Sequence, residues 1–200
     1  MHRTRIKICG ITRTEDVLAA ARLGADAIGL VFYPPSPRFV AADQARAIAL
    51  AVPPFITVVG LFVNAEPTWV RSVLNRVPVQ ALQFHGDETA ADCEAYDRPY
   101  IKAARVGPGM DLLEYAESFS TAQGLLLDAV VEGYGGGGKT FDWSLIPSRL
   151  SLPLVLSGGL HPGNVAQAVR TVRPWAVDVS TGVEASKGVK DARKIAEFVS

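Results

Sequence analysis

Residues able to do chemistry recur in this sequence directly behind short apolar runs. Cys9-Gly10 follows Arg5-Ile6-Lys7-Ile8, Arg38 closes the turn Pro34-Pro35-Ser36-Pro37, and Asn64 and His85-Gly86-Asp87 follow the next two runs. Farther on stand Arg105, Asp128, Ser157-Gly158-Gly159, and Asp178 with Ser180-Thr181-Gly182. A thiol, a carboxylate, a guanidinium and two glycine-rich turns, if gathered on one rim, can bind an anion and move protons. The two turns can cradle phosphate with backbone N–H groups and need no lysine for it.

Each of these residues also has a plainer reading. A free cysteine is commonly buried as a small hydrophobe, an aspartate caps a turn, a loop arginine is a solvated charge, and Gly-Gly makes a tight bend. Spacing adds to the case for Cys9. Residues i and i+2 of a strand share a face, so Lys7 and Cys9 point the same way, and a neighbouring ammonium is expected to favour the thiolate. His85 is the usual residue type for acid–base work, but a rim hydrogen bond to nearby backbone serves equally well, and it is left outside the catalytic pair. Cys93 is read as structural.

Residues 133 to 140, Gly-Tyr-Gly-Gly-Gly-Gly-Lys-Thr, satisfy the nucleotide-binding pattern G-x-x-x-x-G-K-[ST]. Their context does not fit. Ala129 to Glu132 separate them from the preceding apolar run, and Pro147 ends the following segment early. A mobile loop over a ligand, or a disordered tether, is the expected reading, with a P-loop nucleotide-binding protein as the rival.

Eight runs rich in Val, Ile, Leu and Phe begin near Arg5, Asp26, Phe55, Val79, Tyr100, Gly124, Pro153 and Trp175, a repeat of 21 to 29 residues. That interval holds one strand, one helix and two short loops. The segments between are amphipathic: one opens at Thr14-Glu15-Asp16 and is closed by Gly24, and others cover Ala42 to Ala51, Pro67 to Val77, Glu88 to Tyr96, Asp111 to Phe119, Pro162 to Val172 and Asp191 to Val199. The sixth, Phe141 to Ile146, is short. Strand and helix in alternation imply parallel strands, and eight units point to a single (β/α)8 TIM barrel spanning residues 1–200 rather than a five- or six-stranded open sheet. In a closed barrel the first and eighth strands are neighbours, so an ion pair of Lys7 with Asp178 is expected.

Composition limits the partners. Twenty basic and twenty acidic residues cancel, which argues against nucleic acid or an anionic membrane surface. The longest apolar run, Phe55 to Val63, is far short of the ~20 residues that cross a bilayer. The N-terminus lacks the long apolar stretch of an export signal, and two cysteines make no disulfide framework, so a cytoplasmic location is expected.

Several segments then match one family in order along nearly the whole chain. They are Lys7-Ile8-Cys9-Gly10-Ile11-Thr12, Gly29-Leu30-Val31-Phe32 with Ser36-Pro37-Arg38, Gln83-Phe84-His85-Gly86, Leu127-Asp128, Gly136 to Trp143, Leu156-Ser157-Gly158-Gly159-Leu160, and Asp178-Val179-Ser180-Thr181-Gly182-Val183-Glu184. The chain resembles the phosphoribosylanthranilate isomerases. The resemblance implies an Amadori rearrangement in tryptophan biosynthesis, from N-(5'-phosphoribosyl)anthranilate to 1-(2-carboxyphenylamino)-1-deoxyribulose 5-phosphate, with no cofactor or metal. It also implies Cys9 as general base, Asp128 as general acid, Arg38 as partner of the anthranilate carboxylate, and loops seven and eight as the phosphate site. The expected substrate-binding set is Arg38, Asp178, Gly158, Gly159, Ser180, Thr181 and Gly182, in a monomer or homodimer. A phosphosugar-binding barrel without turnover and a thiol redox sensor are the remaining alternatives.

Overall fold

The computed structural model describes residues 3–107, 109–129 and 140–200. Eight parallel strands close into a barrel: β1 (Arg5–Cys9), β2 (Ala27–Val31), β3 (Thr57–Phe62), β4 (Ala81–Phe84), β5 (Tyr100–Val106), β6 (Gly124–Ala129), β7 (Leu154–Leu156) and β8 (Ala176–Val179). Closure is seen in the register. Lys7 of β1 lies opposite Asp178 of β8 on one side, and Cys9 lies opposite Gly29 of β2 on the other. The (β/α)8 expectation is met.

Helices α1 (Thr14–Arg22), α2 (Ala42–Leu50), α3 (Pro67–Arg76), α4 (Ala90–Glu94), α5 (Leu112–Ser118), α6 (Val165–Val172) and α7 (Ala192–Val199) cover the outside. Local sequence sets their ends. In α1, Gly24 adopts φ 99° while its N–H reaches the carbonyl of Ala21 and that of Ala25 reaches Ala20, the paired closure that a left-handed glycine allows. Thr89 and Asp92 form a reciprocal capping box on α4, and Asp111 and Asp191 cap α5 and α7. Two expected helix starts move. Arg13, not Thr14, stands at the cap of α1, because Asp16 turns back to pair with the Arg13 guanidinium. Helix α6 begins at Val165 behind Asn164, with Pro162 in the turn before it. Between β6 and β7 the described residues form only a 3-10 turn, Trp143–Leu145.

Alternate strand residues face opposite ways. Ile6, Ile8, Ile28, Leu30, Val58, Phe62, Leu82 and Phe84 pack outward with Val17, Ala20, Ala45, Val70 and Val73 of the helices. The inward-facing set is sparser and more polar. Ala103, Leu126, Val155 and Ala176 form one apolar cluster, and Cys9, Val31, Leu61 and Val63 form another. Lys7, Gln83, Asp128, Ser157 and Asp178 are buried along with them. Charge placed inside a barrel must be paired, and that requirement shapes the site.

Candidate active site at the C-terminal rim

Lys7 and Asp178 are about as buried as the apolar core, 4% and 5% exposed, and meet at 2.6 Å from Nζ to Oδ1, as the closed barrel led one to expect. Ser157 Oγ donates to the other Asp178 oxygen at 3.3 Å. The structure thus assigns Asp178 to holding Lys7 and tying β7 to β8. Beside this pair Cys9 is 5% exposed, and room for it comes from Gly29: a Cβ there would stand 2.7 Å from Cys9 Sγ and 3.2 Å from Lys7 Cε.

The expected pull of the Lys7 ammonium on the Cys9 thiol is present, but it is outweighed. Burial pushes the Cys9 thiol up; the Lys7 ammonium pulls it down, but Asp178 works against that pull, and the net direction is upward. Lys7 is not a free charge, because its own carboxylate partner opposes part of the field that it projects onto sulfur.

Asp128, 7% exposed, is held at both oxygens. Oδ1 accepts the Ala129 N–H at 2.9 Å, and Oδ2 lies 3.2 Å from His85 Nε2. Gly158, with φ 81°, passes close by: a Cβ there would come within 2.7 Å of the Ala129 nitrogen and 3.0 Å of Asp128 Oδ1. Sequence alone leaves His85 outside the catalytic pair, with a hydrogen bond to backbone as good a reading as acid–base work. Its imidazole instead bonds to two side chains, the other being Gln83, whose Nε2 sits 3.0 Å from His85 Nδ1. The contacts Asp128 to Gly158, Ser157 to Asp178, and Asp178 to Lys7 link the two candidate catalytic groups through β7 and β8.

Arg38 is 8% exposed, not a solvated loop charge. Its Nε and Nη2 donate to the two oxygens of Glu184, both at 2.7 Å, and Nη2 lies 3.5 Å from Thr181 Oγ1. Gly10, with φ 73°, leaves the space that Arg38 crosses: a Cβ there would meet Arg38 Cδ at 2.5 Å. Among the described residues Nη1 makes no hydrogen bond, which leaves two donors of the fork for a carboxylate. Glu184 also accepts from Lys190 Nζ at 2.9 Å, and the same ammonium reaches the Ser180 carbonyl at 3.1 Å and its hydroxyl at 3.4 Å. Glu184 and Lys190 belong to a small antiparallel hairpin, β9 (Glu184–Ser186) and β10 (Val189–Lys190), that no strand pattern announces. Burial raises the Glu184 carboxyl, and the Arg38 and Lys190 hydrogen bonds and charges more than offset it, so its net position is below the usual carboxylate range.

Loops seven and eight do come together. Gly158 and Gly159 both take positive φ, 81° and 63°, and a Cβ on Gly182 would lie 2.0 Å from the Leu160 carbonyl. Gly182 is therefore required by the packing of one loop on the other. Ser180 has its hydroxyl engaged by Lys190, and Asn164 Nδ2 donates to the Gly159 carbonyl at 3.0 Å. Residues 133–139 of the glycine-rich motif lie outside the described residues; the chain that follows them makes a three-residue 3-10 turn where a nucleotide-binding loop would open a long helix. Cys93 of α4 is fully buried, its thiol pushed up to about 12 by burial, as suits a structural residue.

This geometry accords with the comparisons. The family model described as N-(5'phosphoribosyl)anthranilate (PRA) isomerase matches residues 6–200. A protein of that name from Dechloromonas aromatica (strain RCB) is 63% identical over 198 residues, covering 99% of this chain and 95% of the relative. Another, from Leptothrix cholodnii, is 62% identical over 98% of this chain and 89% of its own. Among solved structures, phosphoribosyl anthranilate isomerase from Thermotoga maritima has a TM-score of 0.89 at 47% identity, covering 98% of this chain and 97% of its own. A second, a complex with reduced 1-(o-carboxyphenylamino)-1-deoxyribulose 5-phosphate, has a TM-score of 0.86 at 44% identity, with the same coverage. With a matching family model over almost its full length and relatives above 60% identity, the chain belongs to the N-(5'-phosphoribosyl)anthranilate isomerase family.

Proposed function

We propose that the rim performs the family's isomerisation of N-(5'-phosphoribosyl)anthranilate with Asp128 as acid and Cys9 as base. The observation that supports this most is the pairing, among the described residues, of the other buried charges at the rim. Lys7 is matched by Asp178 and Arg38 by Glu184, which leaves the Asp128 carboxyl, bonded to His85, and the Cys9 thiol as the pair placed to exchange protons with a sugar between them. Asp128 gives its proton to the furanose ring oxygen as the C1–O bond breaks, forming an iminium. Cys9, as thiolate, removes the C2 proton to give the enolamine, which tautomerises to the ketone. The substrate neither gains nor loses a proton overall. Turnover leaves a proton on Cys9 and none on Asp128, and exchange with solvent restores both.

Arg38 Nη1 takes the anthranilate carboxylate, and Glu184 presets the fork so that little side-chain freedom is lost on binding. The phosphate binds at the backbone of Gly158, Gly159, Ser180, Thr181 and Gly182, where two loops are already packed on one another. Burial, which pushes the Cys9 thiol up, makes its ionisation a precondition of the base step. Addition of freshly made phosphoribosylanthranilate tests the activity: its fluorescence should be lost with turnover, and millimolar ATP with Mg²⁺ should not compete. Binding without turnover would support the phosphosugar-binding alternative, and ATP competition would support the nucleotide reading.

Residues 1–200 act here as one domain. Two buried free thiols, Cys9 and Cys93, suit a reducing cytoplasm, and among the described residues no helix is long and apolar enough to cross a membrane. Of monomer and homodimer, the second is favoured by Phe55. It is fully exposed at φ 71° on the loop before β3, on the face opposite the site, and a Thermotoga maritima relative is described as dimeric.

A further inference from the structure

Gln83 and His85 occupy successive inward-facing positions of β4 and its exit, so their side chains stack toward the rim. Gln83 is completely buried, its Nε2 against His85 Nδ1 at 3.0 Å, while its Oε1 has no partner among the described residues. His85 in turn carries Nε2 to Asp128 Oδ2 at 3.2 Å. A buried amide oxygen without a donor is costly, and proteins retain such groups where function wants them.

The amide has two nearly isosteric ends. With its N–H toward Nδ1, it suits a neutral ring whose proton sits on Nε2 and is donated to Asp128. Turned over, it presents Oε1 to an Nδ1–H, which suits a ring holding a second proton. The carbonyl has no competing bond to break when it turns. Among the described residues the other charges near the pair are matched: Lys102 on β5 with Glu88, Arg105 with Asp87, and Lys7 with Asp178 across β1 and β8. Asn64 behind β3 and Ser157 behind β7 are neutral. His85 and Asp128 are therefore placed to pass a proton from one to the other.

We propose that Gln83 and His85 are positioning residues for the acid step: Gln83 fits its amide to either state of the ring, and the ring fixes Asp128 Oδ2 and holds its proton in reserve. The inference rests on the reading of Asp128 as the acid. When Asp128 delivers its proton to the ring oxygen of the sugar, its O–H bond breaks and the carboxylate accepts the N–H of His85. The reserve proton on His85 then returns Asp128 to the acid form, and solvent replaces it on the imidazole.

His85→Gln keeps a donor near Oδ2 but cannot carry a second proton. Expected are a kcat about tenfold lower, the rate equivalent of one hydrogen bond to a charged group, a KM within about twofold, and an alkaline limb of the kcat–pH profile moved to lower pH. Gln83→Glu puts a carboxylate against Nδ1, favours the doubly protonated ring, and moves that limb to higher pH. Gln83→Met, which can do neither, keeps the fold and lowers kcat. Wild-type kcat and pH limb in His85→Gln would overturn the proposal, as would kcat and KM changing in both variants with no movement of the limb. Asp128→Asn separates the two levels. Near-normal kcat there removes the acid reading itself, whereas an inactive Asp128→Asn beside an unaltered His85→Gln removes this inference alone.

Discussion

Lys7→Met removes one half of a buried ion pair and leaves the other in place. Among the described residues Asp178 would keep only the Ser157 hydroxyl at 3.3 Å, in a barrel interior where its side chain is 6% exposed. An abandoned charge of this kind costs about 3–5 kcal/mol, a large share of the roughly 5–15 kcal/mol that holds a domain together. Replacing both partners, as in Lys7→Met/Asp178→Leu, exchanges the pair for apolar groups and should bring stability back to within about 1 kcal/mol of the parent. The assay is equilibrium urea unfolding at pH 7 of the parent, both single variants and the double, with coincidence of fluorescence and circular dichroism as the check on two-state behaviour. Burial lowers the Lys7 ammonium's proton affinity, and Asp178 and Cys9 more than restore it, so its net position is raised. Its stabilisation is then complete below the ordinary lysine range, fully present at pH 7, and lost only in strong alkali. A single variant that loses less than about 1 kcal/mol, or a double variant that loses the sum of the singles, would refute the reasoning.

Arg38→Ala should raise KM far more than it lowers kcat, since the carboxylate it binds is charged equally in ground and transition states; steady-state kinetics decide, and an unchanged KM would remove Arg38 from the site. Gly29→Ala places a methyl group 2.7 Å from Cys9 Sγ and should lower kcat with little change in KM, whereas Gly182→Val, driven into the Leu160 carbonyl, should lose both stability and phosphate inhibition, measurable by unfolding and by inorganic-phosphate titration. Because Cys9 is raised, kcat/KM should climb with pH through neutrality as the thiolate fraction grows; a flat profile between pH 6 and 8 would contradict this. Glu184, held low, stabilises the fold above the ordinary carboxylate range and loses that contribution as pH falls through its depressed value, so Glu184→Gln should flatten the acid limb of stability measured by unfolding.

The barrel was legible because parallel strands buried on both faces read as unbroken apolar runs, and because eight of them recur at near-constant spacing. The ion pair of Lys7 with Asp178 followed from closure and strand parity. What that pair does to Cys9 did not. The ammonium favours the thiolate, Asp178 opposes it, and burial, which residue order does not disclose, decides the net direction. Helix starts slipped at Thr14 and Pro162 because capping preferences tolerate neighbours that side-chain contacts rearrange, as Asp16 does with Arg13. The β9–β10 hairpin was missed because strands of three and two residues are too short to show alternation. Its signals were Glu184 ending the Asp-Val-Ser-Thr-Gly-Val-Glu segment and the turn at Gly188, which takes φ 80°. His85 needed the structure, because nothing in the residue order says that β4 and β6 bring it to Asp128.

The most direct measurement is the turnover of phosphoribosylanthranilate by the parent chain, Cys9→Ala and Asp128→Asn under identical conditions, after each variant is shown to unfold like the parent. The expected result is turnover by the parent, with kcat reduced at least ~10²-fold in each variant and KM little changed, as removal of a general acid or base requires. Near-normal kcat in Cys9→Ala would contradict the assignment of the base, and with it the account of the rim.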